Sequence, residues 1–86
     1  MKNKNLVELI DQASIALLQA KEGEAHALLS QVFDELLQVS SSLTAQTLTS
    51  LAKIMEVMHD AQKRRDHVYL VDILQYELPK YIDLST

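Results

Sequence analysis

The hydrophobic pattern of residues 6–36 returns in residues 48–78, displaced by 42 positions. In both segments the apolar residues recur every three or four positions, which is the spacing of one face of an α-helix. Each segment is long enough for two helices, so the repeat predicts two similar helical hairpins. The matched positions are Leu6, Leu9, Ile10, Ala13, Leu29, Val32 and Leu36 in the first segment, and Leu48, Leu51, Ala52, Met55, Val71, Leu74 and Leu78 in the second.

The composition favours a packed helical protein. Of 86 residues, 48% are hydrophobic, and the chain has a single glycine and a single proline. Such a composition is unlike that of a disordered chain, which lacks the apolar residues needed for a core. The sequence therefore predicts one all-α domain over residues 1–86. Because there is no cysteine, disulfides and zinc–thiolate sites are excluded.

Four helices follow from the apolar stripes. The first runs over about residues 5–20, and Gly23 is expected to end it, since glycine tolerates the positive φ of a helix terminus. The second covers about residues 24–40, the third about 45–64 and the fourth about 66–78. The third helix should bury the face of Leu48, Leu51, Ala52, Met55 and Met58, and the fourth that of Leu70, Val71, Leu74, Leu78 and Tyr81.

The connections are read from local signals. No glycine or proline interrupts residues 24–64, so one long helix is an alternative. The apolar stripe rotates between Leu36 and Leu51, however, and the serines of residues 40–42 compete for backbone hydrogen bonds, which predicts a turn within residues 40–46. Asp66 is a typical N-cap, and Pro79 should stop the last helix. A four-helix bundle is favoured over stacked hairpins of the tetratricopeptide kind, whose repeat is about 34 residues.

A strip of aromatic and apolar residues on the fourth helix is the sharpest candidate site. Tyr69, Ile73 and Tyr76 lie away from the expected core face, with Asp72 and Lys80 at the rim. Exposed aromatic side chains are typical of protein interfaces. Three interpretations are open: burial inside the protomer, a homodimer interface, or contact with another protein. A weaker second strip, which favours self-association, consists of Val7, Leu18, Phe33 and Leu37.

Two other classes of function were weighed against this interpretation. Glu56 and His59 have the Glu-x-x-His spacing of di-iron bundles, but the sequence has no second such pair, so a histidine at the core edge is favoured. The basic cluster of Lys63, Arg64 and Arg65 could contact phosphates, but the net charge is −4. His26 and His67 fit roles on helix surfaces, and no metal, cofactor or nucleic acid is expected.

The location of the protein is also inferred from patterns. The first residues lack the apolar segment of a secretory signal, and no stretch approaches the roughly 20 apolar residues of a membrane span. A soluble protein in the cytoplasm is expected, without contact to a membrane.

The segment DHVYLVDILQYELP, residues 66–79, resembles a helix found in short bacterial helical accessory proteins, with the pattern D-Y-V-x-L-x-D-x-L-x-Y-E-L. These proteins are similar in size and build to flagellar export chaperones. Asp72, Tyr76 and Glu77 match the pattern, whereas His67 stands where the pattern has its first tyrosine. The resemblance implies binding of a helical segment of a client protein in the cytoplasm.

The sequence thus predicts a small, non-enzymatic protein-interaction module, adaptor-like or chaperone-like and dimeric. Its alternatives are a metal-binding or small-ligand bundle around Glu56 and His59, and a small DNA-associated regulator.

Overall fold

The chain folds as an all-α bundle of two antiparallel hairpins, as predicted. The computed structural model describes residues 4–82. The helices are α1 (Lys4–Leu18), α2 (Glu22–Ser40), α3 (Ala45–Lys63) and α4 (His67–Asp72), and α4 continues into a π-helical turn (Ile73–Glu77) and a 3-10 turn (Leu78–Lys80). The bundle measures 34 × 26 × 19 Å.

The two hairpin turns have the same backbone structure. After α1, the N–H of Ala20 bonds to the carbonyl of Leu17, and the N–H of Lys21 bonds to that of Ala16. After α3, Arg65 and Asp66 make the same pair of bonds to Gln62 and Ala61. This pair of bonds is the Schellman motif, which requires a left-handed residue after the helix end. That residue is Ala20 (φ 56°) in the first turn and Arg65 (φ 57°) in the second.

Gly23 does not end the first helix, contrary to the sequence prediction. It lies in the first turn of α2, and no glycine among the described residues has positive φ. The hydrogen bonds of the Schellman motif are strong enough to hold an alanine in the left-handed conformation, which glycine would adopt more easily. The helix therefore stops at Leu18, and α2 begins at Glu22 instead of Glu24.

The two turns repeat at a distance of 45 residues, three more than the 42 of the sequence comparison. Displacement by 42 pairs buried Leu6 with Leu48, which is 37% exposed, and buried Ile10 with exposed Ala52. The same displacement still pairs buried Leu9, Val32 and Leu36 with buried Leu51, Leu74 and Leu78. Displacement by 45 superimposes the two turns and pairs a different set of buried residues. These pairs are Leu6 with Leu51, Ala13 with Met58, Ala16 with Ala61, Ala25 with Leu70, and Leu29 with Leu74.

The hairpins lie side by side with both turns at the same end of the bundle. Helix α1 packs along α2 and also along α4 and the π-helical turn, and these last two elements also pack on α3. The backbones of α2 and α3 stay apart over nearly all of their length. Side chains cross this gap, where the Phe33 and His59 rings stack at 4.3 Å with an interplanar angle of 10°.

The buried face of α3 differs from the predicted one. Leu51 and Met58 are buried as predicted, together with Ala61, but Leu48 and Ala52 are exposed and Met55 is half-buried. The reason is the distance between the α2 and α3 backbones, which leaves that side of α3 partly open to water.

The connection between the hairpins lies where the sequence predicted it. Helix α2 ends at Ser40, and α3 begins after Thr44, whose hydroxyl accepts a hydrogen bond from the N–H of Thr47. The hydroxyls of Ser40, Ser41 and Ser42 donate to the carbonyls of Leu37, Gln38 and Val39 at 2.6, 3.0 and 2.9 Å. These bonds occupy the last carbonyls of α2, which explains why the helix stops without a glycine.

Candidate functional site

The predicted strip on the last helix becomes an exposed ridge without its central residue. Tyr69 is 41% exposed and Tyr76 is 70% exposed, and Asp72 and Lys80 are exposed as well. We call these four residues the tyrosine ridge. Ile73 is 2% exposed and belongs to the core, so its predicted place in the exposed strip is wrong. Because α4 and the π-helical turn contact both α1 and α3, their buried arc is wide enough to include Ile73.

The backbone beneath the ridge is held by local hydrogen bonds. The Asp66 carboxylate accepts a hydrogen bond from the N–H of Tyr69 at 3.3 Å, which is the predicted N-cap. In the π-helical turn, the N–H of Leu78 bonds to the carbonyl of Ile73. Pro79 follows within the 3-10 turn, where its missing N–H ends the regular ladder. π-Helical turns within α-helices are frequent at functional sites.

The inner side of the same segment anchors the ridge to the bundle. Leu70, Leu74 and Leu78 are fully buried, and Val71 and Tyr81 are half-buried against the core. At the rim, the Lys80 ammonium lies 3.3 Å from the Glu77 carboxylate. The ridge therefore presents two aromatic rings, a carboxylate and an ammonium on a fixed backbone.

A pocket of about 370 Å³ opens at the end of the bundle where the two turns meet. We call it the end pocket. Its floor consists of buried aliphatic side chains, and polar side chains and the backbone of Gly23 form its mouth. The floor residues are Leu17, Ala25, Leu29 and Leu70, and the polar residues are Glu22, His26, Gln62, Arg65 and His67.

The polar groups of the end pocket form three contacts across the bundle. The Gln62 amide nitrogen lies 2.8 Å from Nδ1 of His26. Since an amide nitrogen can only donate, Nδ1 accepts, and the ring proton is on Nε2. Glu22 lies 3.7 Å from Nε of Arg65 and 3.9 Å from Nε2 of His67. Both distances exceed those of good charge-assisted hydrogen bonds, about 2.7–2.9 Å.

Sequence reasoning missed the end pocket. His26 and His67 were assigned to separate helix surfaces, and the structure brings both to one cavity. The signal that could have located the pocket is the equal length of the two turns, which places Glu22 and His67, 45 residues apart, at the same point of their hairpins. The displacement between the turns is 45 residues, whereas the hydrophobic pattern gave 42, so this signal did not appear in the sequence comparison.

The residues of the alternative functions are placed as follows. His59 is exposed at the core edge and stacks on Phe33, and Glu56 is exposed. Among residues 4–82, no three His, Asp or Glu side chains are grouped as metal ligands. In the basic cluster, Arg64 pairs with Asp60 at 3.0 Å, and Arg65 lies near Glu22.

A second apolar surface follows the gap between α2 and α3. Leu37 on α2 is 62% exposed, and Leu48 on the neighbouring α3 is 37% exposed. Phe33 and Met55 are half-buried in the same region. From the predicted second strip, Leu18 is also exposed, but it lies on α1.

No family model, curated protein or solved structure matches this chain. The resemblance of residues 66–79 to bacterial helical accessory proteins therefore stays a prediction. Within the part of the chain that the structure describes, none of the helices is both long and apolar enough to cross a membrane.

Proposed function

We propose that this chain is a protein-interaction module that binds a helical segment of a partner protein through the tyrosine ridge. The observation that carries the proposal is the exposure of Tyr69 and Tyr76 on a helix whose opposite side is anchored in the core. The proposed module is not an enzyme, and it acts in the cytoplasm.

The physical reason lies in the aromatic rings. Each tyrosine ring has a large apolar area and few rotatable bonds, so a contact buries much surface for little loss of side-chain entropy. The phenolic hydroxyls can make hydrogen bonds at the edge of such a contact. The buried residues beneath the ridge fix the two rings in place, which further lowers the entropy lost on binding.

The charged residues at the rim of the ridge favour a partner helix that carries charges of both signs. Asp72 lies between the two tyrosines along the helix, and Lys80 follows in the 3-10 turn. A carboxylate and an ammonium spaced along one element are complementary to a helix with a basic and an acidic residue about two turns apart. Rim charges of this kind contribute more to specificity and association rate than to affinity.

The experiment compares the double variant Tyr69→Ser, Tyr76→Ser with wild type by affinity capture and mass spectrometry from the cells that make the protein. Leu37→Ser is the control, because it removes an exposed apolar side chain from another face, and its exposure of 62% lies between those of Tyr69 and Tyr76. We expect a partner to be retained by wild type and the control and lost by the double variant. Loss of a central aromatic contact typically costs about 2 kcal/mol or more.

Circular dichroism and sedimentation velocity complete the test. Both variants should keep the helical spectrum, since the substituted side chains are exposed. If the double variant instead unfolds, the tyrosines are structural and the proposal fails. If wild type forms a dimer that the double variant does not, the ridge joins two copies of this chain and the partner is the chain itself.

A further inference from the structure

We propose that the end pocket binds a small amphipathic carboxylate, with its apolar body on the aliphatic floor and its carboxylate held at the mouth by Arg65 and the histidines. The end pocket is separate from the tyrosine ridge, so this inference does not rest on the proposed function.

The size and lining of the cavity fit a small organic ligand. A volume of about 370 Å³ lies in the range of about 300–1,000 Å³ that is typical of ligand sites. Such sites combine apolar walls with a few polar groups that orient the ligand. The end pocket has this composition, because its buried lining residues are aliphatic and its hydrogen-bonding side chains belong to the more exposed lining residues.

The polar groups at the mouth are mostly donors. Arg65 carries five N–H donors, and its guanidinium makes no hydrogen bond to another side chain in residues 4–82. The bond from Gln62 leaves Nε2 of His26 as a donor, and His67 contributes a second imidazole. A guanidinium with free donors matches the geometry of a carboxylate, which it can bind through two parallel hydrogen bonds.

Glu22 favours a ligand with a single negative charge over one with two or more. Among residues 4–82, its carboxylate is the single acidic group lining the end pocket, and it lies between Arg65 and His67 at 3.7 and 3.9 Å. A ligand with one negative charge can share the guanidinium with Glu22 or displace it. A ligand with two or more negative charges would meet repulsion from Glu22 at short range.

The backbone of Arg65 provides a control for the test. Its left-handed conformation, φ 57°, is one that glycine adopts without strain and arginine does not. The same conformation occurs at Ala20, because both residues occupy the left-handed position of a Schellman motif. Ala20 holds the equivalent position in the other turn but does not line the pocket, which makes it the natural control.

The test is a titration of the folded protein with octanoate and, separately, with 1-octanol, followed by amide chemical shifts in NMR spectra. The two probes differ in charge and share the same chain length. We expect saturable shifts at Gly23, His26 and His67 with octanoate, and binding of 1-octanol that is weaker by at least about tenfold.

Two variants separate loss of binding from loss of folding. Arg65→Gly removes the guanidinium while giving the left-handed position its preferred residue, so it should stay folded and bind octanoate at least about tenfold more weakly. Ala20→Gly makes the same backbone change in the equivalent turn and should bind like wild type. Glu22→Gln should bind severalfold more tightly, because it removes a like charge from the mouth.

Three results would overturn the proposal. The first is an absence of saturable shifts with octanoate at millimolar concentration. The second is equal binding by wild type and Arg65→Gly. The third is equal affinity for octanoate and 1-octanol, which would identify the end pocket as an apolar cavity without a carboxylate site.

Discussion

The contact of α1 with α4 and the contact of α2 with α3 occupy equivalent places in the two hairpins, yet the first is closed and the second is open. In the closed contact, Ser14 of α1 is buried, donates to the carbonyl of Ile10 at 2.8 Å, and accepts from the Gln75 amide at 3.0 Å. In the open contact, the residue 45 positions later is His59, whose ring stacks on Phe33. A serine lets two backbones approach, whereas two stacked rings hold them apart.

The difference shows that a sequence repeat can determine turns without determining helix contacts. Both turns form the same hydrogen bonds although their residues differ, because those bonds join backbone atoms. The distance between neighbouring helices depends instead on side-chain volume at a few positions. The open contact leaves Leu37 and Leu48 exposed, and the closed contact is buried at Ser14.

The largest expected effect tests which residue of α3, Leu51 or Leu48, is the counterpart of Leu6 in α1. Leu6→Ala and Leu51→Ala each remove a buried side chain and should lower the free energy of unfolding by about 2–5 kcal/mol. Leu48→Ala removes a partly exposed side chain and should cost less than about 1 kcal/mol. Urea denaturation monitored by circular dichroism measures all three. A loss at Leu48 as large as that at Leu6 would instead make Leu48 the counterpart of Leu6, as displacement by 42 pairs them.

A smaller effect is expected from exchanging the residues that make one contact closed and the other open. Ser14→His places a ring in the closed contact and removes the hydroxyl that accepts the hydrogen bond from Gln75. Overpacking alone should lower the free energy of unfolding by about 1–3 kcal/mol, and the lost hydrogen bond adds to this cost. His59→Ser at the equivalent position of the open contact should cost less than about 1 kcal/mol. Both are measured by urea denaturation, and equal costs would contradict the distinction between the two contacts.

The smallest effects concern the two turns. Ala20→Gly and Arg65→Gly should each raise the free energy of unfolding by about 0.5–1 kcal/mol, because glycine relieves the left-handed strain by more than it costs in chain entropy. Such a change raises the melting temperature by a few degrees. Gly23→Ala should also be stabilising, since its φ is not positive and a Cβ there would have no atom within 4 Å. Destabilisation by Gly23→Ala would return Gly23 to the role of helix terminator.

The parts of the fold that could be predicted from sequence are those encoded by neighbouring residues. The connection near Ser40 and the Asp66 cap depend on side chains that bond to backbone within four positions, so local signals were sufficient. The left-handed residues were not predictable in this way, because Ala20 and Arg65 carry no mark of that conformation. The exposed side of α3 depends on how closely α2 approaches, which no local pattern records.

The candidate sites likewise have features that neighbouring residues encode and features that depend on contacts between distant parts of the chain. The periodicity of the last helix identified the side of Tyr69 and Tyr76, but the burial of Ile73 follows from the contact of that segment with two helices at once. The end pocket combines residues from both hairpins, and its members are separated by up to 53 positions, as Leu17 and Leu70 are. Such a site becomes visible when the relative position of the hairpins is known.

The Schellman turns have a consequence for how the chain tolerates changes in length. Lys21 and Asp66 each end one helix motif and also stand at the N-cap of the next helix, so neither hairpin contains a spare residue. An inserted residue in either turn would rotate the following helix by about 100° and carry its apolar stripe out of the core. Residues 41–44 join the hairpins without such a shared residue. The connection over residues 41–44 can therefore change in length more easily than either turn. Within the described residues, insertions or deletions should be tolerated there first.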